Sequence, residues 1–234
     1  MIALMLLAAL AQEKRIPGPA VPIPAADRAE LEAALKAVTA SPDPDVEILR
    51  KAVDWALRYD EFTDAKQVAA ARALLKAATS PRPNTGLVVH GYRSRLDDSI
   101  QPYGLVVPAS YQPGKKHRLD LWFHGRDEKL TELRFLEQRL KSPGEFTPPD
   151  TIVLHLYGRF CNASKFAGEV DAFEAIEDVK KRYSIDDDRI LVRGFSMGGA
   201  SAWHLGVHHA GLWAAVAPGA GFAETPVYAR MFND

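Results

Sequence analysis

Between residues 118 and 217 the sequence alternates short apolar runs with stretches of helical periodicity, and that alternation restricts the fold more than any other feature. Arg118-Leu119-Asp120-Leu121-Trp122-Phe123-His124 reads as a strand, and a helical stretch with Leu130, Leu133, Leu136 and Leu140 follows it. Thr151 to Leu156 is a second strand. Val170 to Tyr183 is a helix, with Phe173, Ile176 and Val179 inward and Glu177 and Lys181 four residues apart. Arg189 to Phe195 is a third strand, Met197 to His209 a further helix and Leu212 to Ala217 a further strand. A chain that alternates in this way buries a mostly parallel sheet between two layers of helices. Upstream, Leu87 to His90 and Leu105 to Pro108 are β-rich runs separated by polar turns, which predicts an antiparallel start to the sheet.

The first 80 residues have a different character. Residues 1–11 form an uninterrupted apolar run, too short to span a bilayer, and Ala9-Leu10-Ala11 fits a small-x-small cleavage pattern. They read as a signal peptide, which implies a secreted or periplasmic protein. Pro17, Pro19, Pro22 and Pro24 make residues 12–24 an extended linker. Residues 25–80 form a small helical segment of three amphipathic helices. These are Ala25 to Ala40, Val46 to Tyr59, and a third reaching Ala78 for which Thr63 is the expected cap. The remaining 84–234 is the α/β domain.

The third strand runs into Gly194-Phe195-Ser196-Met197-Gly198, the G-x-S-x-G pattern of a nucleophile elbow. A serine hydroxyl is a poor nucleophile unless it is lifted clear of the fold. The elbow does this by holding Ser196 in a strained strand-to-helix turn, and Gly194 and Gly198 flank it because side chains there would collide. The strand before the motif and the helix after it are the context that the chemistry requires. In such a site two backbone N–H groups hold the tetrahedral oxyanion. One belongs to the residue after the nucleophile, Met197. The other belongs to the loop opened by His124-Gly125, and is either Gly125 or Arg126. His124 itself reads as a strand-end histidine that orients this loop.

Trp122-Phe123-His124-Gly125, Tyr157-Gly158-Arg159 with Asn162, Gly168 to Asp171 opening a helix, and Tyr183 to Ile190 leading into the elbow together resemble the α/β-hydrolase superfamily. Within it the sequence is similar to the secreted esterase and prolyl-oligopeptidase-like branch, which includes relatives of feruloyl esterases and polyhydroxybutyrate depolymerases. The resemblance covers roughly 86–222 and omits the helices of 25–80. It implies an α/β-hydrolase three-layer sandwich, C-terminally truncated in this chain. It also implies a triad in the order Ser, acid, His, of which only Ser196 maps, so the acid and His are expected beyond Asp234. Glu224 and Asp234 are late carboxylates, but no histidine follows them.

The implied reaction is hydrolysis of a small-molecule carboxylic ester, or of a peptide bond, through an acyl-serine intermediate. It needs no cofactor and no metal. Acyl transfer shares the same serine. A rival reading is a non-catalytic binding or assembly protein on a shortened hydrolase fold, with the 25–80 helices as its interaction module.

Other groups are read more plainly. His204, His208 and His209 lie along the helix after the elbow. His204 begins about 12 Å along from Ser196, which excludes it as the base and leaves a polar helix face, or at most a weak metal patch. Asp186-Asp187-Asp188 lacks the spacing of a calcium loop and reads as a solvated turn. Arg159 and Asn162, on the loop after the second strand, are candidates for substrate contact because ligands of α/β sheets bind at that edge. Glu169 and Asp171 are expected to stabilise a helix N-terminus. The lone Cys161 is a small semi-buried side chain. A net charge of −1 over 234 residues gives no footprint for nucleic acid or an anionic membrane.

Overall fold

The computed structural model describes residues 20–224 and 227; the apolar run of residues 1–11, most of the proline-rich linker and Asp234 lie outside them. Three helices come first: α1 (Ala25–Ala37), α2 (Pro44–Arg58) and α3 (Gln67–Ala78). Then follow β1 (Gly86–Arg93), β2 (Ile100–Val107), β3 (His117–Phe123), α4 (Glu132–Lys141), β4 (Thr151–Leu156), α5 (Ala167–Arg182), β5 (Ile185–Phe195), α6 (Met197–His208), a short 3-10 turn (Ala210–Leu212) and β6 (Ala215–Gly219). The strands form one sheet in the order β1-β2-β4-β3-β5-β6. β1 pairs antiparallel with β2, and β2 antiparallel with β4, while β4, β3, β5 and β6 are mutually parallel.

Side chains alternate across the sheet, and each face has its own core. Leu119, Leu121 and Phe123 of β3, with Ile152, Leu154 and Leu156 of β4, pack against Ala172, Ile176 and Val179 of α5 and Ala202 and Leu205 of α6. On the opposite face, Val89 and Ile100 meet Leu133 and Leu136 of α4 together with Leu31, Ile48, Leu49, Val53, Leu74 and Leu75 of the three N-terminal helices. The helices of 25–78 are therefore part of the layer that covers β1 and β2. Further along that face the sheet turns polar. Asp120 is fully buried between Arg118 and Arg193, at 2.6 and 2.8 Å. Phe146 lies beneath the Arg193 guanidinium and stacks on Trp122.

Three local readings are corrected. Thr63 does not cap α3, which starts at Gln67; instead the Gln67 amide oxygen reaches back to accept the N–H groups of Thr63 and Asp64, at 2.6 and 3.1 Å. The strand expected from Leu212 begins only at Ala215. Residues 210–212 make a 3-10 turn, and Trp213 Nε1 donates to the Leu205 carbonyl of α6, holding this stretch against the helix. Asp186 to Asp188 lie within β5 rather than before it. The ladder jumps from His117↔Ile185 to Leu119↔Ile190, so the acidic residues bulge from the edge of the pairing.

Candidate active site

β5 ends at Phe195 and α6 begins at Met197, so Ser196 alone makes the turn, at φ 56° and ψ −117°. A non-glycine residue rarely holds this conformation, and it persists only where its surroundings fix it. Here the Ser196 N–H donates to Gly219 O of β6 at 2.9 Å, and its carbonyl accepts from Ala200 in the first turn of α6. The flanking glycines are required by contact. A Cβ on Gly194 would lie 2.4 Å from Gly198 O, and one on Gly199 would lie 2.3 Å from Gly219 O. The helix can thus press against the ends of β3 and β6, which leaves Ser196 half-buried at the rim, at the N-terminus of α6.

Gly125 sits over this turn. A Cβ built on it would be 3.6 Å from Phe195 O and 3.8 Å from the Ser196 Cβ, which places the loop after β3 against the serine. His124 orients that loop: its Nδ1 lies 2.8 Å from Gly125 O and its Nε2 3.3 Å from Tyr157 O. Because a trans peptide points its carbonyl and N–H in opposite directions, the grip on Gly125 O turns the Arg126 N–H away from the histidine. The Arg126 side chain is paired outward with Glu128 at 2.8 Å. Met197, Ala163 and Ala200 form a small apolar cluster with Cys161 and Phe222 under the elbow.

Arg159 and Asn162 do reach this end of the sheet, but their polar groups are held internally. The Arg159 guanidinium bonds Asp171 at 2.9 Å, Ser94 at 3.0 Å and Asp97. Asn162 donates to Gly158 O and accepts from Ser164 N, at 2.8 and 2.9 Å. Arg159, Phe160, Ala163, Ser164 and Phe166 all have positive φ, so the two side chains hold together a tightly coiled loop beside Met197.

Glu169 lies in the first turn of α5, as expected of an acid at a helix N-terminus, and also ties α5 to the end of α6, meeting His204 at 2.9 Å and His209 at 2.6 Å. Among the described residues no His, Cys, Asp or Glu cluster is arranged to hold a metal ion, and none of their side chains hydrogen-bonds the Ser196 hydroxyl. Cys161 donates to Asp127 O at 3.3 Å, and burial pushes its thiol up, away from reactivity.

A cavity of about 600 Å³ opens between α4 and the strands β3 and β4, with Gly125 and Phe195 at one end and Arg139 and His155 at the other. Sequence reasoning missed this pair. The one signal was His155 itself, a polar residue inside the apolar run of β4, where every position is buried.

No protein-family model matches the sequence, and no curated protein matches it. Solved structures do resemble it. A thermostable esterase aligns with 56% of this chain and 40% of its own, at 21% identity and a TM-score of 0.41. FphF, a fluorophosphonate-binding serine hydrolase of Staphylococcus aureus, aligns with 64% of this chain and 62% of its own, at 14% identity and a TM-score of 0.49. A ferulic acid esterase aligns with 60% and 62%, at 20% identity and 0.45. The chain thus matches between 40% and 62% of the length of these structures. The strand order, the single reversed strand β2 and the elbow at the end of β5 make this the α/β-hydrolase fold. No helix of the described residues is long and apolar enough to cross a membrane.

Proposed function

We propose that this chain carries the nucleophile half of a serine hydrolase that cleaves carboxylic esters or peptide bonds through an acyl-serine intermediate. The observation that carries the reading is the backbone of Ser196, held at φ 56° on the first turn of α6 with Gly125 laid against it. Ser196 Oγ attacks the carbonyl carbon, and the hydroxyl proton passes to a histidine base. The carbonyl oxygen becomes an oxyanion held by the Met197 N–H and the Arg126 N–H. Collapse of the intermediate breaks the bond to the leaving alcohol or amine, which takes the proton from the histidine. Water then repeats the sequence on the acyl-serine.

None of the described histidines touches the Ser196 hydroxyl, and His204 and His209 are committed to Glu169. The acid and base are therefore proposed to be supplied by sequence C-terminal to Asp234, and secretion is proposed from residues 1–11. A non-catalytic assembly role for the N-terminal helices is not favoured, because their apolar faces are buried against the sheet.

The test is a fluorophosphonate probe applied to the complete protein. Labelling that disappears in Ser196→Ala is expected. Absent labelling, or labelling that survives the substitution, overturns the reading.

A further inference from the structure

We propose that the cavity beside Ser196 is a carboxylate-binding subsite with Arg139 as its receptor, and that the preferred substrate carries a free acid remote from the scissile bond. The substrate assignment rests on the hydrolase reading, whereas the binding site stands on its own geometry.

Arg139 is placed with care. Its stem crosses β2 at Gly104, where a Cβ would come within 2.6 Å of Arg139 Cγ. Its head lies beside Gly144, at φ +85°, where a Cβ would be 3.3 Å from Arg139 Nη1 and 3.0 Å from His155 Cε1. Two glycines therefore make room for one arginine. Nη1 donates to His155 Nδ1 at 2.9 Å. Since a guanidinium can only donate, Nδ1 is the acceptor and the neutral ring carries its proton on Nε2. His155 is 4% exposed, its Nε2 is closed off from the cavity on the side of the Pro143 backbone, and the ring serves to hold the guanidinium in place.

The guanidinium also lacks a counter-charge. Among the described residues its one side-chain partner is the imidazole, and no carboxylate is within ion-pair distance. Of the acidic residues lining the cavity, Asp127 is paired with Arg134 at 3.1 Å and Glu145 is exposed to solvent. Burial lowers the affinity of Arg139 for its proton, and it acts there without an opposing carboxylate. A partly buried cation without a partner is costly. A ligand carboxylate in the cavity would offset that cost. Its two oxygens would accept from the guanidinium N–H groups that His155 leaves free, the paired geometry for which Arg is suited. The other end of the cavity is the Gly125–Arg126 loop at the serine. The cavity of about 600 Å³ runs on from Arg139 to that loop, so an alkyl chain separates the acid from the ester carbonyl.

Binding of monomethyl suberate and of uncharged dimethyl suberate to the full chain, measured by calorimetry, tests this. The monoester is expected to bind at least about tenfold more tightly than the diester. Arg139→Met, whose unbranched stem still fills the Gly104 groove, is expected to abolish that preference and leave the diester unchanged. Equal affinity for the two esters, or an undiminished preference in Arg139→Met, overturns the proposal. If Arg139→Met does not fold, Arg139→Lys is expected to weaken the monoester alone, and an unchanged affinity counts against the subsite. Arg139-dependent binding without labelling of Ser196 would keep the subsite and remove the hydrolase. Labelling without discrimination between the esters would do the reverse.

Discussion

A methyl group on Gly198 would sit 1.9 Å from the carbonyl oxygen of Phe123, which cannot yield because it belongs to the central strand. Gly198→Ala is therefore expected to destabilise the fold by about 3 kcal/mol or more. Gly211→Ala, where a Cβ meets nothing within 4 Å, should stay within about 0.5 kcal/mol of the parent. Urea unfolding of the two variants checks both values. The elbow was legible in the sequence because its constraints are local: a strand, two obligatory glycines and a helix stand consecutively. The Arg139–His155 pair was not. The two residues are 16 apart, on α4 and β4, and the glycine that admits the arginine stem lies on β2. Such a pair becomes visible only when the sheet has been ordered.

Among the elements, α4 has the side-chain cap that the sequence did not announce. Thr131 accepts the Arg134 N–H at 3.3 Å, and acidic Glu132 and basic Arg139 and Lys141 suit the two ends of the helix dipole. Thr131→Ala is expected to cost about 1 kcal/mol, measured by urea unfolding, and Thr131→Ser should recover most of it. Helical periodicity located α2 and α3 well, because the apolar faces of both are buried. The start of α3 was misplaced. Its orphan N–H groups are served by a glutamine reaching backward, whereas the usual forward-reaching cap would have put the start at Thr63. At β5 the ladder's jump past Asp186 to Asp188 is a pairing irregularity, set by the partner strand and invisible to periodicity.

For the whole molecule, the layering depends on how the N-terminal helices are fastened. Asp45, in the first turn of α2, is 3% exposed and receives the Gly91 N–H at 2.8 Å, His90 Nδ1 at 2.9 Å, Arg82 at 2.7 Å and Arg182 at 2.9 Å. Burial alone would raise its carboxyl. The hydrogen bond and charge of His90, the Gly91 N–H and the charge of Arg182 outweigh it and hold the group at about 2, below the ordinary 3.8. Above about pH 3.8 the contribution is complete. As pH falls toward 2 the unfolded chain takes the proton first, and about 2 kcal/mol is lost.

His155 acts over a higher window. Burial first, and the charge of Arg139 second, push it from 6.5 down to about 3, so stability also declines as pH falls below 6.5. Asp45→Asn is expected to lower stability at pH 7 and to flatten the further loss between pH 4 and 2, as measured by urea unfolding across that range. The alternation of elements announced the sheet. That the N-terminal helices would form part of its covering layer could not be read from their amphipathic faces, which state that something is buried but not against what.

The bond between Asp45 and Arg182 joins residues 137 positions apart. During synthesis the first three helices, and β1 and β2 soon after them, leave the ribosome long before the arginine that completes their fastening. At bacterial-to-eukaryotic elongation rates the wait is on the order of ten seconds. For that interval the three helices can rest on one another and on β1 and β2 but lack their last tie, so the layer is fully fastened only once α5 has been made.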